Sequence, residues 1–560
     1  MWLYDYHALV DWFMNRYPSA YSVHAYGVRY FTQEHYAFIQ RAALPLIIFL
    51  AGGITFLRWK KSYVKKILGK IIADVMFLYT MIAGSFRDLS PGQKKILTSC
   101  FVLLALIKLF LFATLPYHVD EVFNFIYFID NGPFHSSIFS NNHVLSNIVS
   151  AVWRSIGMSP VVSSRVTSIG AGMLVHVFVY ATARRFFDFK TALWILLLTG
   201  ITFWTNVYSV EGGAYMLVTL CWLVSIIALL VYVEHREHGY YLFVITSVLG
   251  FYSSKFFVIP FVASLLFWIT FAGYTHQLHA AWRRIIFAIG MVLLVTGLLY
   301  LPMVLWSGTD AFFLSQSSTH NLISKSPILF EILSVMTNVD AKSYVVVGVV
   351  IIFSILYFKR ASEKLKIAFT LNACALLSLL LFVAAFQLYP PSRAMVFMNV
   401  LFYGVIGAIV AETASTIRLR PQYVTTLWIF VLVIHIFGNA YVYNKGWQRS
   451  IRLSWQDKIF YYLLEARVKC IMEREPQLVY FDREDTYEDF YLRLAAKQQH
   501  KNVVITYDSA RKVESDMAIV EPEIWTTSSG RVVKDDFAIV LSRRGSTFEK
   551  LECHGYLIVQ

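Results

Sequence analysis

The chain has 560 residues, of which 57% are hydrophobic and only 15% are charged. Soluble globular domains carry roughly a quarter charged residues, so this composition excludes an ordinary soluble domain and indicates lipid as the main solvent. The formal net charge of +14 does not indicate a nucleic-acid partner, because Lys and Arg occur in short clusters between apolar segments rather than along one soluble face.

Apolar segments long enough to cross a bilayer recur along the chain. A spanning helix needs roughly 20 mostly apolar residues to cross about 30 Å of hydrocarbon. The segment Tyr240–Phe271 is too long for one span and is interrupted by Lys255 and Pro260, which predicts two short helices that meet at a polar break. The sequence predicts about twelve spans in all, and the other candidates are Ala42–Leu57, Ile96–Leu115, Val166–Ala183, Leu193–Val207, Tyr215–Val233, Ile285–Leu305, Tyr344–Phe358, Ile367–Phe386, Ala394–Ala411 and Leu427–Val442.

The basic clusters predict the orientation, because loops on the cytoplasmic side of a membrane collect Lys and Arg. With the spans above, all the clusters fall on the same side: Arg58–Lys70, Lys94–Lys95, Arg184–Lys190, Arg283–Arg284, Lys359–Lys366 and Arg418–Arg420. Counting the apolar stretch Ile71–Gly84 as a span would break this agreement. We therefore expect that stretch to form a helix lying in the membrane interface.

The expected fold is a multi-pass α-helical membrane protein with a small soluble α/β domain at the C-terminus. Residues 1–95 form an N-terminal extension with one extra span and a basic loop, residues 96–442 form the transmembrane module, and residues 443–560 form the soluble domain on the exported side. In that last segment an amphipathic helix, Trp455–Met472, precedes the strand-like runs QLVYFD and NVVITYD, which flank a helical segment, Tyr487–Gln499. No strand there leads into a glycine-rich phosphate loop, so no nucleotide site is expected.

The loop after the second span contains the strongest local signal for chemistry. Asp120 and Glu121 follow directly as the chain leaves the membrane, and His143 lies about twenty residues further on. A carboxylate at a membrane boundary is partly desolvated, which suits a general base. The alternative is that the loop is polar simply because it leaves the membrane.

Two cations interrupt apolar segments elsewhere. Lys255 lies between FYSS and FFVIP, where a lysine is costly unless it faces water or an anion. Arg393 follows two prolines in QLYPPSRAMVF and could hold a phosphate by a bidentate contact. For both, the alternative is an ordinary interfacial cation. Arg165 and Glu211 lie at helix edges, where a charge needs no special reason, and His176 is expected to be a hydrogen-bonded core residue.

The order of these features resembles a known family. The acidic pair and the histidine are followed by the segment SSRVTSIGAGMLVHVFVYATARRFF and later by VEGGAYMLVTL. This order is similar to that of the polyprenyl-phosphate-sugar-dependent glycosyltransferases of the GT-C superfamily, and within it to the protein O-mannosyltransferase and lipid A aminoarabinose transferase group. The resemblance covers about Ile96–Ala411 and is strongest from Asp120 to Tyr215.

The resemblance implies a membrane bundle with a catalytic cavity on the exported face and a lipid-linked sugar donor. It assigns the catalytic carboxylate to Asp120, with Glu121 as the neighbouring acid, and it places the substrate-binding residues at Asn142, His143, Arg165, Glu211, Tyr215, Lys255 and Arg393, of which Lys255 and Arg393 would contact the phosphate. One departure is clear. Where relatives often read Glu-x-Arg-x-Tyr, this chain has Glu211, Gly213 and Tyr215, so the arginine is missing.

The chemistry fits this small set of residues. A phosphate already departs as a stable anion, so one base for the acceptor hydroxyl and cations for the phosphate suffice, with inversion at the anomeric carbon. No cofactor or metal is required, although a divalent ion near Asp120 and Glu121 is left open. The acceptor is a protein, lipid A or a growing polysaccharide, and the expected location is a bacterial inner membrane with the site on the periplasmic side.

Two other function classes compete with this interpretation. A transporter or lipid flippase would use Lys255 and the broken helix to line a substrate path. A catalytically silent anchor would only present the C-terminal domain to partners. Transporters usually contain paired internal repeats, and none is visible in this sequence.

Overall fold

The computed structural model describes residues 51–52, 55, 58–115, 121, 124–130, 143–235, 238–307, 350–352, 357–386, 389–416 and 422–433, seven short strands after residue 477, and a few isolated positions. Its longer helices are α1 (Lys61–Arg87), α2 (Pro91–Thr114), α3 (Val144–Ser155), α4 (Pro160–Phe186), α5 (Phe189–Gly200), α6 (Phe203–Val210), α7 (Tyr215–His235), α8 (Tyr240–Ser253), α9 (Val258–Tyr274), α10 (Leu278–Ser307), α11 (Glu363–Phe386) and α12 (Val396–Thr416).

The described helices identify an integral membrane protein. Eight of them are long and apolar enough to cross a bilayer, or up to nine if α5 and α6, which meet at a bend of 65°, form one span. The expected spans Ala42–Leu57 and Tyr344–Phe358 lie largely outside the described residues. In place of Leu427–Val442 the structure describes a shorter apolar helix, Gln422–Val433. The count of about twelve spans therefore stays a prediction.

Helix starts follow local capping chemistry. Ser90 and Gln93 form a reciprocal capping box at the start of α2, with Pro91 as the first helical residue. At the start of α5, the Asp188 carboxylate accepts a hydrogen bond of 3.1 Å from the backbone N–H of Thr191. These caps fix where the chain turns back into the bundle.

Two helices form the centre of the bundle. In the apolar stretches of α7 and α12, 83% and 78% of the residues are buried, against 22% in both α2 and α10. Trp222 of α7 packs against Phe397 of α12, with ring centroids 5.1 Å apart. Because α7 and α12 run side by side from Tyr215 and Val396, their first turns bring residues far apart in sequence to one end of the bundle.

The predicted break in Tyr240–Phe271 is confirmed. Helix α8 ends at Ser253, a short 3-10 turn covers Lys255–Phe257, and α9 begins at Val258. Ser254 has an extended backbone, and its hydroxyl accepts a hydrogen bond of 3.3 Å from Phe256 N. The turn before α8 requires a glycine, because Gly239 has φ +93° and a side chain there would collide with the Ala228 carbonyl.

Helix α1 contains the stretch that we expected to lie in the interface. By length and composition alone it qualifies as a span. Its placement in the membrane interface stays a prediction, since it contacts both the ends of other helices and the middle of α2, where Phe101 packs against Phe86. Asp74 accepts hydrogen bonds from Tyr241 N (3.1 Å) and Leu242 N (3.3 Å) in the first turn of α8. Met81 accepts one of 2.9 Å from Arg185, in the last turn of α4.

The chain divides into two compact units. One comprises Ala42–Leu115 and Ser137–Lys445, which contain the helices above. The other comprises Met1–Arg41, Pro116–Ser136 and Gly446–Gln560. The proposed boundaries at residues 95 and 442 stay predictions.

The second unit contains a five-stranded sheet in the order β2-β1-β3-β6-β7 and a two-stranded sheet of β4 and β5. Strand β1 is parallel to β2 and β3, and the pairs β3–β6 and β6–β7 are antiparallel. The runs QLVYFD and NVVITYD contain β1 and β2. The segment Tyr487–Gln499 lies outside the described residues, so the α/β character stays a prediction. The strands are β1 (Leu478–Phe481), β2 (Val504–Thr506), β3 (Met517–Val520), β4 (Trp525–Thr526), β5 (Val532–Val533), β6 (Ile539–Arg544) and β7 (Thr547–Lys550).

Candidate active site

Two of the residues singled out from the sequence, His143 and Arg393, both contact a third, Tyr215. The ring of His143 lies 5.4 Å from the ring of Tyr215, edge to face. The guanidinium of Arg393 lies over the same Tyr215 ring, 5.4 Å from its centroid. The Tyr208 ring also packs against the Tyr215 ring, with ring centroids 5.7 Å apart. We call His143, Tyr208, Tyr215 and Arg393 the Tyr215 cluster.

His143 is held by the start of a helix and by a backbone carbonyl. It precedes α3 and is buried. Its Nδ1 lies 3.2 Å from the carbonyl oxygen of Ser253, in the last turn of α8. A carbonyl oxygen only accepts, so this bond requires the proton on Nδ1 and fixes the ring's orientation. His143 thereby joins the Tyr215 cluster to the broken helix that carries Lys255.

Lys255 is the cation of that broken helix. Its Nζ is buried and has no hydrogen-bond partner among the residues that the structure describes. It lies 5.7 Å from the centroid of the Phe256 ring. A buried ammonium without a partner is costly, so its position favours a site for an anionic group.

Arg393 is positioned by the prolines that precede it. Pro390 and Pro391 prevent continuation of α11, and a 3-10 turn at Ser392–Met395 then leads into α12. The prediction that the arginine opens the next helix is confirmed. Its guanidinium rests on the face of the Tyr215 ring, and the planar N–H fork of an arginine matches the geometry of an oxyanion.

A short turn positions Tyr215. The hydroxyl of Ser168 donates to Gly213 O (2.8 Å) and accepts from Gly213 N (3.2 Å), and Gly213 N also bonds to Glu211 O (2.8 Å). A side chain at Gly213 would crowd the Tyr215 ring, since its Cβ would lie only 3.1 Å from that ring. The open space at Gly213 lets the Tyr215 ring take this position, where it contacts Arg393.

Arg165 is buried, whereas the sequence predicted a charge at a helix edge. It is only 1% exposed, rather than a helix-edge charge that needs no special reason. Its guanidinium donates to the carbonyl oxygens of Phe112 (3.2 Å) and Leu115 (3.1 Å), which end α2. The expectation was wrong because the start of α4 packs against the end of α2. Arg165 thus fixes the point from which the chain continues towards Asp120.

The acidic loop is described only in part. Asp120 and Asn142 lie outside the described residues, so their predicted roles stay predictions. Glu121 is 2% exposed and belongs to the second compact unit, where Asn124 and a π-helical turn, Phe125–Asp130, follow it. Among the described residues, no group of three or more His, Cys, Asp or Glu side chains could hold a metal ion.

Sequence reasoning missed a buried polar network at the bend between α5 and α6. Lys108 of α2 donates to Asn206 Oδ1 (2.9 Å) and Ser209 Oγ (3.1 Å), and all three residues are fully buried. Asn206 donates in turn to the carbonyls of Gly200 and Thr202, where the backbone turns. The network therefore satisfies the polar groups that the bend releases. In the sequence, Lys108 is a lysine within an apolar run, as Lys255 is, and this pattern could have identified it.

His176 is buried, as expected, but it is not hydrogen-bonded within the part of the chain that the structure describes. Both of its ring nitrogens lack a partner there. The prediction of a core histidine is therefore confirmed, and the predicted hydrogen bond is wrong for the described residues. The cause is its position on an apolar stretch of α4, where no described polar side chain reaches the ring.

Comparisons with known proteins do not assign this chain to a family. No family model matches this chain, and no curated protein sequence does. Among solved structures, the chain is similar to the crystal structure of ArnT from Cupriavidus metallidurans in the apo state, with 13% sequence identity and a TM-score of 0.49. The match covers 80% of this chain and 98% of that one. At this level the likeness carries no argument about family or activity.

Proposed function

We propose that this protein is a membrane glycosyltransferase of the GT-C type that transfers a sugar from a polyprenyl-phosphate donor to an acceptor hydroxyl. The observation that carries the proposal is the meeting of His143, Tyr215 and Arg393, with Lys255 two residues beyond the carbonyl that binds His143. These residues come from four separate segments of the chain.

Two cations at this site suit a phosphate. Lys255 has a buried Nζ with no partner among the described residues, and the guanidinium of Arg393 rests on the ring of Tyr215. Charge-assisted bonds from an ammonium and a guanidinium are strong in an apolar environment, where a phosphate carries the complementary charge. A lipid-linked phosphate reaches such a site from the membrane while its tail stays among apolar side chains.

The proposed reaction is a single displacement. The acceptor oxygen forms a bond to the anomeric carbon as the bond from that carbon to the phosphate oxygen breaks, and the configuration inverts. The acceptor proton passes to Asp120, with Glu121 as its neighbour, and the polyprenyl phosphate leaves as an anion stabilised by Lys255 and Arg393. His143, Asn142, Glu211 and Tyr215 would orient the donor, and Arg165 would hold the end of α2 from which the acidic loop starts.

The remaining assignments extend the same proposal. The donor is a polyprenyl-phosphate-linked sugar, and the acceptor is a lipid, a glycan or a protein. We place the reaction on the periplasmic side of a bacterial inner membrane, where the C-terminal unit would select the acceptor. No cofactor is required by this chemistry, and a divalent ion at Asp120 and Glu121 remains open to test.

One observation favours the alternative of a transporter or lipid flippase. Helices α5 and α6 meet at a bend of 65°, and the buried Lys108 and Asn206 lie at that bend. Discontinuous helices with polar groups at membrane depth are common at the substrate sites of transporters. Here Lys108 and Asn206 bond to protein groups, so the polar groups at this bend are satisfied internally and are not left open for a substrate.

The two functions separate in proteoliposomes loaded with a polyprenyl-phosphate-linked sugar, with a hydroxyl acceptor supplied outside. A transferase releases polyprenyl phosphate and forms an acceptor glycoside of inverted anomeric configuration, and Asp120→Asn prevents both. A flippase changes only the side on which the intact donor is found. Movement of intact donor without any release of polyprenyl phosphate, across a panel of sugars and acceptors, would refute the proposed transferase.

A further inference from the structure

A second apolar site lies at the opposite end of the same helices. A crevice that is partly open to the outside lies between α4, α7, α11 and α12. Of the α7 residues that line it, Trp222 lies nearest the start of the helix and Leu230 nearest its end. Along α7, Trp222 and Leu230 lie about 10 Å and about 22 Å from Tyr215 at the rise of an α-helix. The crevice is therefore separate from the Tyr215 cluster.

Two cations meet at the rim of this crevice, at the C-terminal end of α4. Lys364 lines the crevice, and its ammonium donates to the carbonyl of Phe186. The guanidinium of Arg184 donates to the carbonyl of Phe187, at 3.1 Å. Phe186 and Phe187 both line the crevice. An ammonium has three donors and a guanidinium five, so one bond to a carbonyl leaves each cation able to bind an anion as well.

The described carboxylates near this rim already have partners within the protein. Glu412 accepts from the backbone N–H (3.1 Å) and the hydroxyl (2.7 Å) of Ser362, and Glu363 pairs with Lys366 at 2.9 Å. Asp188 caps the start of α5. None of these described acids pairs with Lys364 or Arg184, so the rim is complementary to a negatively charged group.

The crevice has room for a hydrocarbon chain. A Cβ added to Gly404 of α12 would meet no atom within 4 Å, although Gly404 lines the crevice. The walls are almost entirely apolar apart from Lys364 at the rim and Thr182, whose buried hydroxyl has no partner among the described residues. Such walls exclude a nucleotide or a free sugar and suit an acyl chain.

We propose that this crevice binds one acyl chain of an anionic glycerophospholipid whose phosphodiester lies at Lys364 and Arg184. The membrane supplies such lipids at the helix ends, and a zwitterionic lipid carries the same phosphodiester next to a positive group that the two cations repel. The proposal goes beyond the sugar-transfer function and does not depend on it, since the crevice and the Tyr215 cluster share no residue.

The test uses the full-length protein, delipidated in detergent and supplied with phosphatidylglycerol or phosphatidylcholine of identical acyl chains. Native mass spectrometry measures the lipid retained, and thermal unfolding measures the stabilisation. We expect phosphatidylglycerol to be retained roughly tenfold more tightly, the effect of a charge-assisted contact. Lys364→Gln should remove this preference. Lys359→Gln is the matched control, because Lys359 is an exposed lysine in the neighbouring turn and does not line the crevice.

A second variant tests the chain site. Gly404→Leu fills the crevice and should abolish retention of phosphatidylglycerol, whereas Gly290→Leu, at an exposed glycine of α10 where an added Cβ also meets nothing, should not. Equal retention of the two lipids by the unaltered protein would overturn the proposal. So would a preference for phosphatidylglycerol that persists undiminished in both Lys364→Gln and Gly404→Leu.

Discussion

The guanidinium of Arg393 lies over the ring of Tyr215, 5.4 Å from its centroid, although the two residues begin different helices. Tyr215 touches His143 on another side, and His143 bonds to the Ser253 carbonyl just before Lys255. Arg393 thus contacts the Tyr215 ring directly, and Lys255 lies two residues after the carbonyl that binds His143. This arrangement is the basis for the predictions that follow.

Lys255 tests whether the site is built for an anion. Lys255→Met keeps the length and removes a buried ammonium that has no described partner. We expect the melting temperature to rise, because an unsatisfied buried charge costs stability, and the affinity for polyprenyl phosphate to fall about tenfold or more. Differential scanning fluorimetry and a binding titration with polyprenyl phosphate measure the two effects.

Lys190→Met is the control, because Lys190 is exposed in the first turn of α5. It should change neither quantity. A Lys255→Met protein that binds polyprenyl phosphate as tightly as the unaltered chain would reduce Lys255 to an interfacial charge.

Tyr215 tests the support of Arg393. Tyr215→Phe keeps the aromatic face under the guanidinium, and Tyr215→Leu removes it. A contact of this kind contributes about 0.5–2 kcal/mol, so Tyr215→Leu should weaken donor binding by roughly two- to thirtyfold while Tyr215→Phe should change it little. Equal losses in the two variants would show that the hydroxyl, not the ring face, matters.

Arg165 tests a structural role. Arg165→Met leaves the carbonyls of Phe112 and Leu115 without their buried donor, at a cost of about 1–3 kcal/mol for each. We expect a clear fall in melting temperature. Arg154→Met, which removes a bond from a half-buried rather than a fully buried arginine to the carbonyl of Met158, should have a smaller effect. If donor affinity measured at low temperature falls in Arg165→Met while stability does not, Arg165 binds substrate directly.

The sequence predicted much of the helical pattern because hydrophobic length is a local property. The break at Lys255 and the helix opened by Arg393 were both visible, since a lysine in an apolar run and a pair of prolines carry a direct physical cost. The burial of Arg165 was not visible, because it depends on how α2 and α4 pack. The same limit applies to the carbonyl partner of His143 and to the Lys108 network, whose members become neighbours only when the bundle forms.

Asp120 tests the proposed chemistry. Asp120→Asn keeps the size of the side chain and removes its basicity, so the protein should fold and insert normally while sugar transfer falls about 10²- to 10⁴-fold. Transfer is measured as glycosylated acceptor formed per minute from a polyprenyl-phosphate-linked donor. Asp88→Asn, at an exposed aspartate that follows α1, is the matched control and should retain full activity. Full transfer by Asp120→Asn would end its assignment as the base.

The central claim is that Lys255 and Arg393 hold one lipid phosphate beside the Tyr215 cluster. The most direct measurement is a cryo-electron microscopy structure of the full chain with polyprenyl phosphate bound. We predict the phosphate within hydrogen-bonding distance of Lys255 Nζ and the Arg393 guanidinium, with the Asp120 carboxylate facing the same cavity. A phosphate bound elsewhere, with Asp120 in bulk solvent and remote from both cations, would contradict the account.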